Sequence, residues 1–257
     1  MNFKTIEPNK SIAHIVKNIL VFEEHEENQK TVLPFFADGY PGLIFQETKN
    51  GLSVSPFNKQ MPRLFLYGQT ITPIELHFKG SYKLIIFQLY PCVLKSFFNI
   101  TAKDIIDSCY DLTILPGGVK TDQQVLQKKN AEKRIETISN FLFDIFQTKK
   151  EKLDFIIKQA IQLILDTKGK MPVIELCNYL NITERTFARR FVKEVGILPK
   201  QFSQIIQFQQ SLEQLTVKDY NKLTDIVYAN GFADQSHFIK VFKAFTGKTP
   251  SAFKRQK

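Results

Sequence analysis

Residues Leu223 to Phe253 read LTDIVYANGFADQSHFIKVFKAFTGKTPSAF, and the last third of the chain can be understood from them. Asn230-Gly231 predicts a turn, because glycine adopts positive φ at no steric cost. Asp234 can then cap a second helix by accepting from the free backbone N–H groups of its first turn. This second helix repeats apolar residues at the spacing of a core-facing stripe, namely Phe238, Val241, Phe242 and Phe245. Its outer face is polar and basic, so the stretch predicts a helix-turn-helix, whose second helix enters the major groove of DNA.

The basic charge of the chain is concentrated in the same region. The 257 residues include 35 Lys and Arg against 25 Asp and Glu, a net charge of +10. From Lys170 onward the sequence holds 14 basic and 7 acidic residues, and the first 169 residues hold the other 21 and 18. The net charges of the two parts are therefore +7 and +3. This excess indicates a module that binds a polyanion, with general solubility as the alternative reason.

A similar pattern precedes this stretch. A short apolar helix around Leu176, a turn at Asn181-Ile182 and an N-cap at Thr183 predict a first helix-turn-helix. Three cations project from one face of its second helix at four-residue steps, namely Arg185, Arg189 and Lys193. Cations at this spacing repel one another by about a few tenths of a kcal/mol per pair. We therefore expect the row to serve a phosphate or a guanine edge, and a plain solvated face is the alternative.

A helix that begins at Pro199 is expected to run to about Leu215 and to join the two units. About 17 residues at about 1.5 Å each span roughly 25 Å. A rod of that length can hold two reading helices near the roughly 34 Å repeat of the major groove.

Two runs resemble the two DNA-binding units of the AraC/XylS family of bacterial transcription regulators. The first is ITERTFARRFVKEVGILPKQF, from Ile182 to Phe202. The second is carried by fixed spacings between Gly231-Phe232, Asp234-Gln235-Ser236-His237-Phe238, Val241-Phe242-Lys243, Phe245, Gly247 and Pro250-Ser251. So many residues at fixed spacings make the second match specific.

The resemblance implies which residues face DNA. Outward positions of the first reading helix match Arg185, Ala188 and Arg189, and those of the second match Ser236, His237 and Lys240. Arginine can pair bidentately with guanine. Phosphate contacts are expected from Lys193, Lys200 and Lys243, and Arg190 is expected nearer the buried side. Related sequences usually carry arginine in the middle of the linker helix, where this chain has Gln207. An ion pair or phosphate contact made by that arginine is therefore not expected in this chain.

Residues 1–120 hold short apolar runs separated by Gly, Pro and Asn, which predict a small antiparallel barrel or sandwich. Strands are expected at Thr31–Phe36, Leu43–Gln46, Leu64–Tyr67, Ile74–Phe78 and Lys83–Leu89. Short helices are expected at Ile12–Ile19, Pro91–Phe98 and Thr101–Ser108. The run from Leu33 to Pro91 resembles the cupin-like sensor half found in one branch of the AraC family.

The fold class expected is therefore α+β. A β-rich, cupin-like N-terminal domain (residues 1–120) precedes a connector helix (121–150) and an all-α C-terminal domain (151–257), in which a linker helix joins two helix-turn-helix units. The connector carries an apolar stripe of Ile135, Ile138, Leu142 and Ile145. Over barely two repeats, this stripe fits either packing on the front domain or a dimer seam.

No catalytic or metal site stands out in the front domain. His14, His25 and His77 have no partner at metal-ligand spacing. Aromatic residues at alternating positions could line an apolar pocket for an effector or be plain core, namely Phe35, Phe45, Phe65, Tyr67 and Phe87. We predict no catalytic residue, no metal and no cofactor.

The three cysteines, Cys92, Cys109 and Cys177, lack disulfide or metal-ligand spacing, which suits buried thiols in a reducing compartment. The start of the chain lacks the design of a signal peptide. No apolar run approaches the roughly 18 residues that a membrane span requires. These features predict a cytoplasmic protein with no membrane partner.

The function expected is that of a sequence-specific DNA-binding transcription regulator and not of an enzyme. Its partners would be double-stranded promoter DNA, a second copy in a homodimer, RNA polymerase and a small-molecule effector bound by the front domain. One alternative is a regulator whose front domain binds a partner protein and no small ligand. The other is a DNA-alkylation-repair methyl acceptor, against which stands the lack of a zinc-binding cysteine cluster.

Overall fold

The computed structural model describes residues 2–27, 29–148, 153–217, 220 and 222–255. The domain boundary expected between residues 150 and 151 lies outside these residues. Within them the strands are β1 (Asn2–Ile6), β2 (Val16–Glu24), β3 (Lys30–Phe35), β4 (Gly42–Thr48), β5 (Leu52–Ser55), β6 (Lys59–Gln60), β7 (Leu64–Tyr67), β8 (Ile74–Lys79), β9 (Tyr82–Leu89) and β10 (Cys109–Asp111).

The strands form two antiparallel sheets. The larger sheet has the order β1-β2-β9-β4-β7-β10, and the smaller one has the order β3-β8-β5-β6. Ile44 and Phe65 of the larger sheet share an apolar core with Leu76 and Phe78 of the smaller one. The two sheets therefore face each other across this inter-sheet core.

Helices follow the strands. They are α1 (Val93–Phe98), α2 (Gly118–Gln127), α3 (Ala131–Thr148), α4 (Phe155–Asp166), α5 (Val173–Tyr179), α6 (Glu184–Val195), α7 (Pro199–Val217), α8 (Leu223–Ala229), α9 (Gln235–Thr246) and α10 (Pro250–Lys254), with 3-10 turns at Ala102–Ile105 and Leu112–Ile114. No strand follows Asp111 in the described part of the chain. The α+β prediction of a β-rich front half and a helical back half is confirmed.

The larger sheet is buried on both faces. Because side chains alternate along a strand, Leu43 and Phe45 point away from Ile44. With Ile85 and Phe87 they pack against α1, α2 and α3 in a second core, the helix-side core. Burial on both sides explains why β4, β7 and β9 are nearly continuous apolar runs.

The expected connector helix is two helices. Helix α2 ends at Gln127, and the backbone of Lys128 is extended. The Asn130 side chain then accepts from the Lys133 N–H at 2.9 Å and caps α3. The prediction of a single connector helix (121–150) was wrong within the described residues, because the polar segment Lys128-Lys129-Asn130 interrupts it and carries a new N-cap.

The apolar stripe of the connector packs against the front half of the same chain. Ile138 and Leu142 are buried in the helix-side core, and Ile135 and Ile145 pack at its edge. Arg134 fastens the same helix to the larger sheet, because its Nη1 donates to Glu47 Oε2 at 2.7 Å and its Nε to the Lys128 carbonyl at 2.8 Å. Packing on the front half therefore uses the residues that a dimer seam would need.

Some front-half elements differ from the expectations. A hydrogen-bonded turn lies where Ile12–Ile19 was expected to be helical, with the Val16 N–H donating to the Ile12 carbonyl at 2.8 Å. Thr101–Ser108 forms only the 3-10 turn at 102–105. Strand β1 was not predicted from the sequence, and its residues are mostly exposed. It exists because it pairs with β2 at the edge of the larger sheet.

The helices from α4 onward build a separate core around α7. Phe187 and Phe191 of α6, Phe208 of α7, and Phe238 and Phe242 of α9 are all fully buried in it. Both expected helix-turn-helix units thus share one apolar core with the helix that joins them. Helix α7 ends at Val217, two residues beyond the predicted Leu215.

An ion pair fastens α4 to α6. Arg190 donates through Nε to Asp154 Oδ2 at 2.7 Å and through Nη2 to Oδ1. Asp154 also caps α4 by accepting from the Ile157 N–H. Burial acts to raise the pKa of Asp154, but the hydrogen bonds and charge of Arg190 and the backbone N–H groups outweigh it, so this pKa lies below its usual value.

The Arg134→Ala variant should destabilise the front half. The substitution leaves the Glu47 carboxylate and the Lys128 carbonyl without their partner, and it removes the guanidinium group, whose carbon lies 5.1 Å from the centroid of the Phe45 ring. Because Glu47 is partly exposed, we expect a loss of about 2–3 kcal/mol in the free energy of unfolding, measured with urea. Lys133→Ala, at an exposed neighbour, should change it by less than about 0.5 kcal/mol. Equal effects would contradict the buried role of Arg134.

Acid should weaken the pair between α4 and α6. The folded-state pKa of Asp154 is depressed, so its contribution to stability is present above the unfolded value of about 3.9 and is lost as pH falls through the folded value. Asp154→Asn keeps an N-cap side chain and removes the charge. At pH 7 it should be less stable by about 1 kcal/mol, and the difference should shrink below about pH 4. Asp166→Asn, at an exposed position, should show no such trend.

Candidate nucleic-acid interface

Two helix-turn-helix units, α5-α6 and α8-α9, have the same construction. The backbone at each turn adopts positive φ, +51° at Asn181 and +74° at Gly231. Thr183 then caps α6 by accepting from the Thr186 N–H at 3.4 Å, and Asp234 caps α9 by accepting from the His237 N–H at 2.7 Å. Each turn and cap sets the direction in which its second helix leaves.

The outer face of α6 is cationic. Arg185, Arg189 and Lys193 are exposed, and Ala188 between them is half-buried. None of the three cations forms an ion pair with another described residue. Arg190, the next residue after Arg189, is instead held by Asp154. The face thus presents three positive charges to solvent without an ion pair among the described residues, and a polyanion would neutralise them.

The outer face of α9 is less charged. Ser236, Lys240 and Lys243 are exposed on it. His237 is half-buried, its ring packs edge-on against Phe232 with centroids 5.7 Å apart, and its Nδ1 is buried without a hydrogen-bond partner among the described residues. This histidine therefore supports the turn as well as facing outward. The remaining predicted residues of α9 form a hydroxyl and ammonium surface.

The residues named for an effector pocket divide between two cores. Phe35, Phe65 and Tyr67 line a cavity of about 50 Å³ between the sheets. Phe45 and Phe87 point to the other face of the larger sheet and are fully buried in the helix-side core. The structure does not bring these five residues together, because strand register places their side chains on opposite faces.

The cysteines and histidines lie apart. Cys92 and Cys177 are buried and Cys109 is half-buried, and burial raises the pKa of the Cys177 thiol. Across the described residues, no three His, Cys, Asp or Glu side chains form a group that could hold a metal ion. Nor does any helix there have the length and apolar character needed to cross a bilayer.

Sequence reasoning missed the place of Gln207. It noted only a departure from related sequences, whereas the structure buries this residue in the middle of α7 beside the turn of the second unit. The available signal was a polar residue inside an otherwise apolar stretch of the helix, Ile205 to Phe208.

Comparison with protein families gives two matches. Residues 176–256 match a family described as a helix-turn-helix domain, and residues 4–111 match a domain of unknown function, DUF6597. The HTH-type transcriptional activator RhaS of Yersinia pestis is 30% identical over 82 residues, which cover 32% of this chain and 30% of that protein. The chain thus aligns with about a third of the length of this relative.

Solved structures of similar proteins were also compared. ToxT from Vibrio cholerae is 13% identical with a TM-score of 0.48, over 98% of this chain and 97% of that one. The C-terminal domain of AraT, a response regulator from Geobacillus stearothermophilus, is 21% identical with a TM-score of 0.38, over 42% and 89%.

The helix-turn-helix family match covers both units apart from the first residues of α5. Residues 176–256 therefore form an AraC-type helix-turn-helix domain.

Proposed function

We propose that this chain is a sequence-specific DNA-binding transcription regulator that acts in the cytoplasm and places α6 and α9 in successive major grooves. The observation that carries the proposal is the pair of exposed outer faces, with Arg185, Arg189 and Lys193 on one helix and Lys240 and Lys243 on the other. The described residues offer these cations no ion-pair partner. Their charge is thus available to phosphates and base edges.

The two arginines are the best candidates for reading bases. The guanidinium fork matches the O6 and N7 acceptors of guanine, and a bidentate pair is worth about 1–3 kcal/mol of discrimination. Lys193 and Lys243 carry single ammonium groups, which suit phosphate oxygens. With 19 residues, α7 is about 28 Å long, which is compatible with the groove repeat of about 34 Å.

The loop of residues 36–40 is one of several contacts between the front half and the DNA-binding half. Cys92 also belongs to the core of the helical half, and Ala102 lies against Gly196. The Phe36 ring lies between Phe208 of α7 and Phe253 of α10, with centroid distances of 6.5 and 5.9 Å. The Ala37 carbonyl accepts from Gln209 Nε2 at 2.5 Å. At Gly39 a Cβ would lie 3.1 Å from Phe202 and Ile206 atoms. We infer that this loop, called the docking loop below, transmits the state of the front half to α7.

A small effector would fit the cleft between the halves better than the inter-sheet cavity. Ligand pockets usually measure about 300–1,000 Å³, whereas the inter-sheet cavity measures about 50 Å³. A cleft of about 870 Å³ lies between the docking loop and α7, with Lys17, Asp38 and Tyr40 on one side and Gln209 and Glu213 on the other. Burial raises the pKa of Asp38 to about 6.

The second candidate function is that of a regulator whose front half binds a partner protein and no small ligand. The small volume of the inter-sheet cavity favours it, because a metabolite bound there would require the two sheets to separate. Homodimerisation and contact with RNA polymerase stay predictions. A pull-down with the full chain, set against thermal-shift screening with metabolites, would separate a protein partner from a small effector.

Variants of a base reader and of a phosphate contact should behave differently. Arg189→Ala should relax sequence preference at one base position by about 1–3 kcal/mol. Lys243→Ala should weaken specific and random DNA about equally and lower the slope of log K against log salt by about one. Fluorescence anisotropy on a site selected from random DNA would measure both. Equal losses on specific and random DNA for both variants would mean that the reading face is misassigned.

The docking loop should support DNA binding. The outer faces of α6 and α9 are exposed while the halves are packed together, so the docked arrangement leaves them open to DNA. Phe36→Ala removes a ring from between Phe208 and Phe253 and adds motion that binding must then suppress. We expect the full chain to bind its specific site about fivefold more weakly. Phe57→Ala, at an exposed ring elsewhere in the front half, is the matched control. Unchanged affinity in a folded Phe36→Ala protein would remove the loop from the proposed control.

A further inference from the structure

Gln207 lies where both helix-turn-helix units meet the linker helix. It is in the middle of α7 and is only 8% exposed. Two glycine turns lie against this residue, one between α4 and α5 and the other between α8 and α9. A Cβ would clash with backbone at the first glycine and would be tightly packed against side chains at the second, so both turns lie close to α7.

The first of these turns ends α4. Lys168 and Gly169 both have positive φ, +54° and +74°, and the Gly169 N–H donates to the Ile164 carbonyl at 2.7 Å. A Cβ at position 169 would lie 2.4 Å from the Ser203 carbonyl oxygen and 3.0 Å from Gln207 Cγ. Because α4 is also paired with α6 through Asp154 and Arg190, this contact places the first reading helix relative to α7.

The second turn joins α8 to α9. A Cβ at Gly231 would lie 3.3 Å from Gln207 Nε2 and 3.2 Å from Lys170 Cγ. Gln207 Nε2 also lies 3.5 Å from the Gly231 carbonyl oxygen, a long contact in which packing matters more than hydrogen bonding. Nearby, Asn230 Nδ2 donates to Gln214 Oε1 at 2.7 Å. These contacts place the second reading helix relative to the same segment of α7.

We propose that Gln207 is a positioning residue that sets the distance and angle between α6 and α9, and thereby the spacing between the two half-sites that the protein accepts. This inference rests on the DNA-reading function proposed above. One added base pair moves a half-site by about 3.4 Å and turns it by roughly 35°. A junction packed against backbone on both sides cannot follow such a change without opening contacts on one side.

The experiment compares spacing tolerance in the full-length protein. Binding is measured by fluorescence anisotropy on the selected site and on sites with one base pair added or removed between the half-sites. The native protein should bind the altered sites at least about tenfold more weakly, a loss of about 1.4 kcal/mol. Gln207→Ala should reduce this penalty to about threefold or less. Gln207→Met keeps the volume and loses the amide, so it should keep most of the native penalty.

Two further variants complete the comparison. Gln204→Ala changes a half-buried glutamine one turn earlier on α7 and should behave as the native protein. Should Gln207→Ala not fold by circular dichroism, Gln214→Ala removes the partner of Asn230 and should relax the spacing in the same direction. A folded Gln207→Ala, or Gln214→Ala in its place, with the native spacing penalty would overturn the proposal.

A measurement without DNA separates this inference from the function on which it rests. Spin labels on Arg189→Cys and Lys240→Cys, in a Cys109→Ser background, report the distance between the two reading helices. The distribution of distances should be narrow with Gln207 and should broaden with Gln207→Ala. The native protein could fail to bind any two-part site while its distance distribution is narrow and that of Gln207→Ala is broad. That result would refute the DNA function and would support the positioning role. An unchanged distribution would refute the positioning role itself.

Discussion

Burial of the apolar face of α7 is the constraint on which the rest of the structure depends. Phe202, Ile205 and Phe208 of this helix are fully buried, and helices of both units pack on it in one core. Burial of each such side chain contributes on the order of 2 kcal/mol. A movement of either unit away from α7 would expose this surface. Helices α6 and α9 are therefore held by the same free energy that folds the domain.

Helix α6 carries its stabilising contacts and its exposed cations on different faces. Phe187 and Phe191 face the core, Arg190 is paired with Asp154, and Arg185 and Arg189 are left in solvent. Successive residues on a helix are about 100° apart, so Arg189 and its neighbour Arg190 serve different faces. The unpaired cations add repulsion to the folded state. That cost is intelligible if an anion removes it on binding.

Local signals were sufficient to predict the helical half. The N-caps Thr183 and Asp234 and the turn residues Asn181 and Gly231 act on backbone groups within a few residues of themselves. Spacing of apolar residues within one helix likewise depends only on the helical repeat. The exposed face of α6 and the extent of α7 could therefore be read from short windows of sequence.

Contacts between distant segments could not be read in this way. Strand β1 is a strand because β2 pairs with it, and alternation within β4 and β9 did not reveal that Phe45 and Phe87 face the helices while Phe65 faces the other sheet. Gln207 acquires its surroundings only when the turn after α4 and the turn between α8 and α9 fold against it. The sequence alone determined the helices, their caps and the basic outer face, since these features arise between residues that are close together along the chain. Only tertiary packing decided the strand register, the sheet face that each side chain occupies and the junction at Gln207. These features join residues that are far apart along the chain.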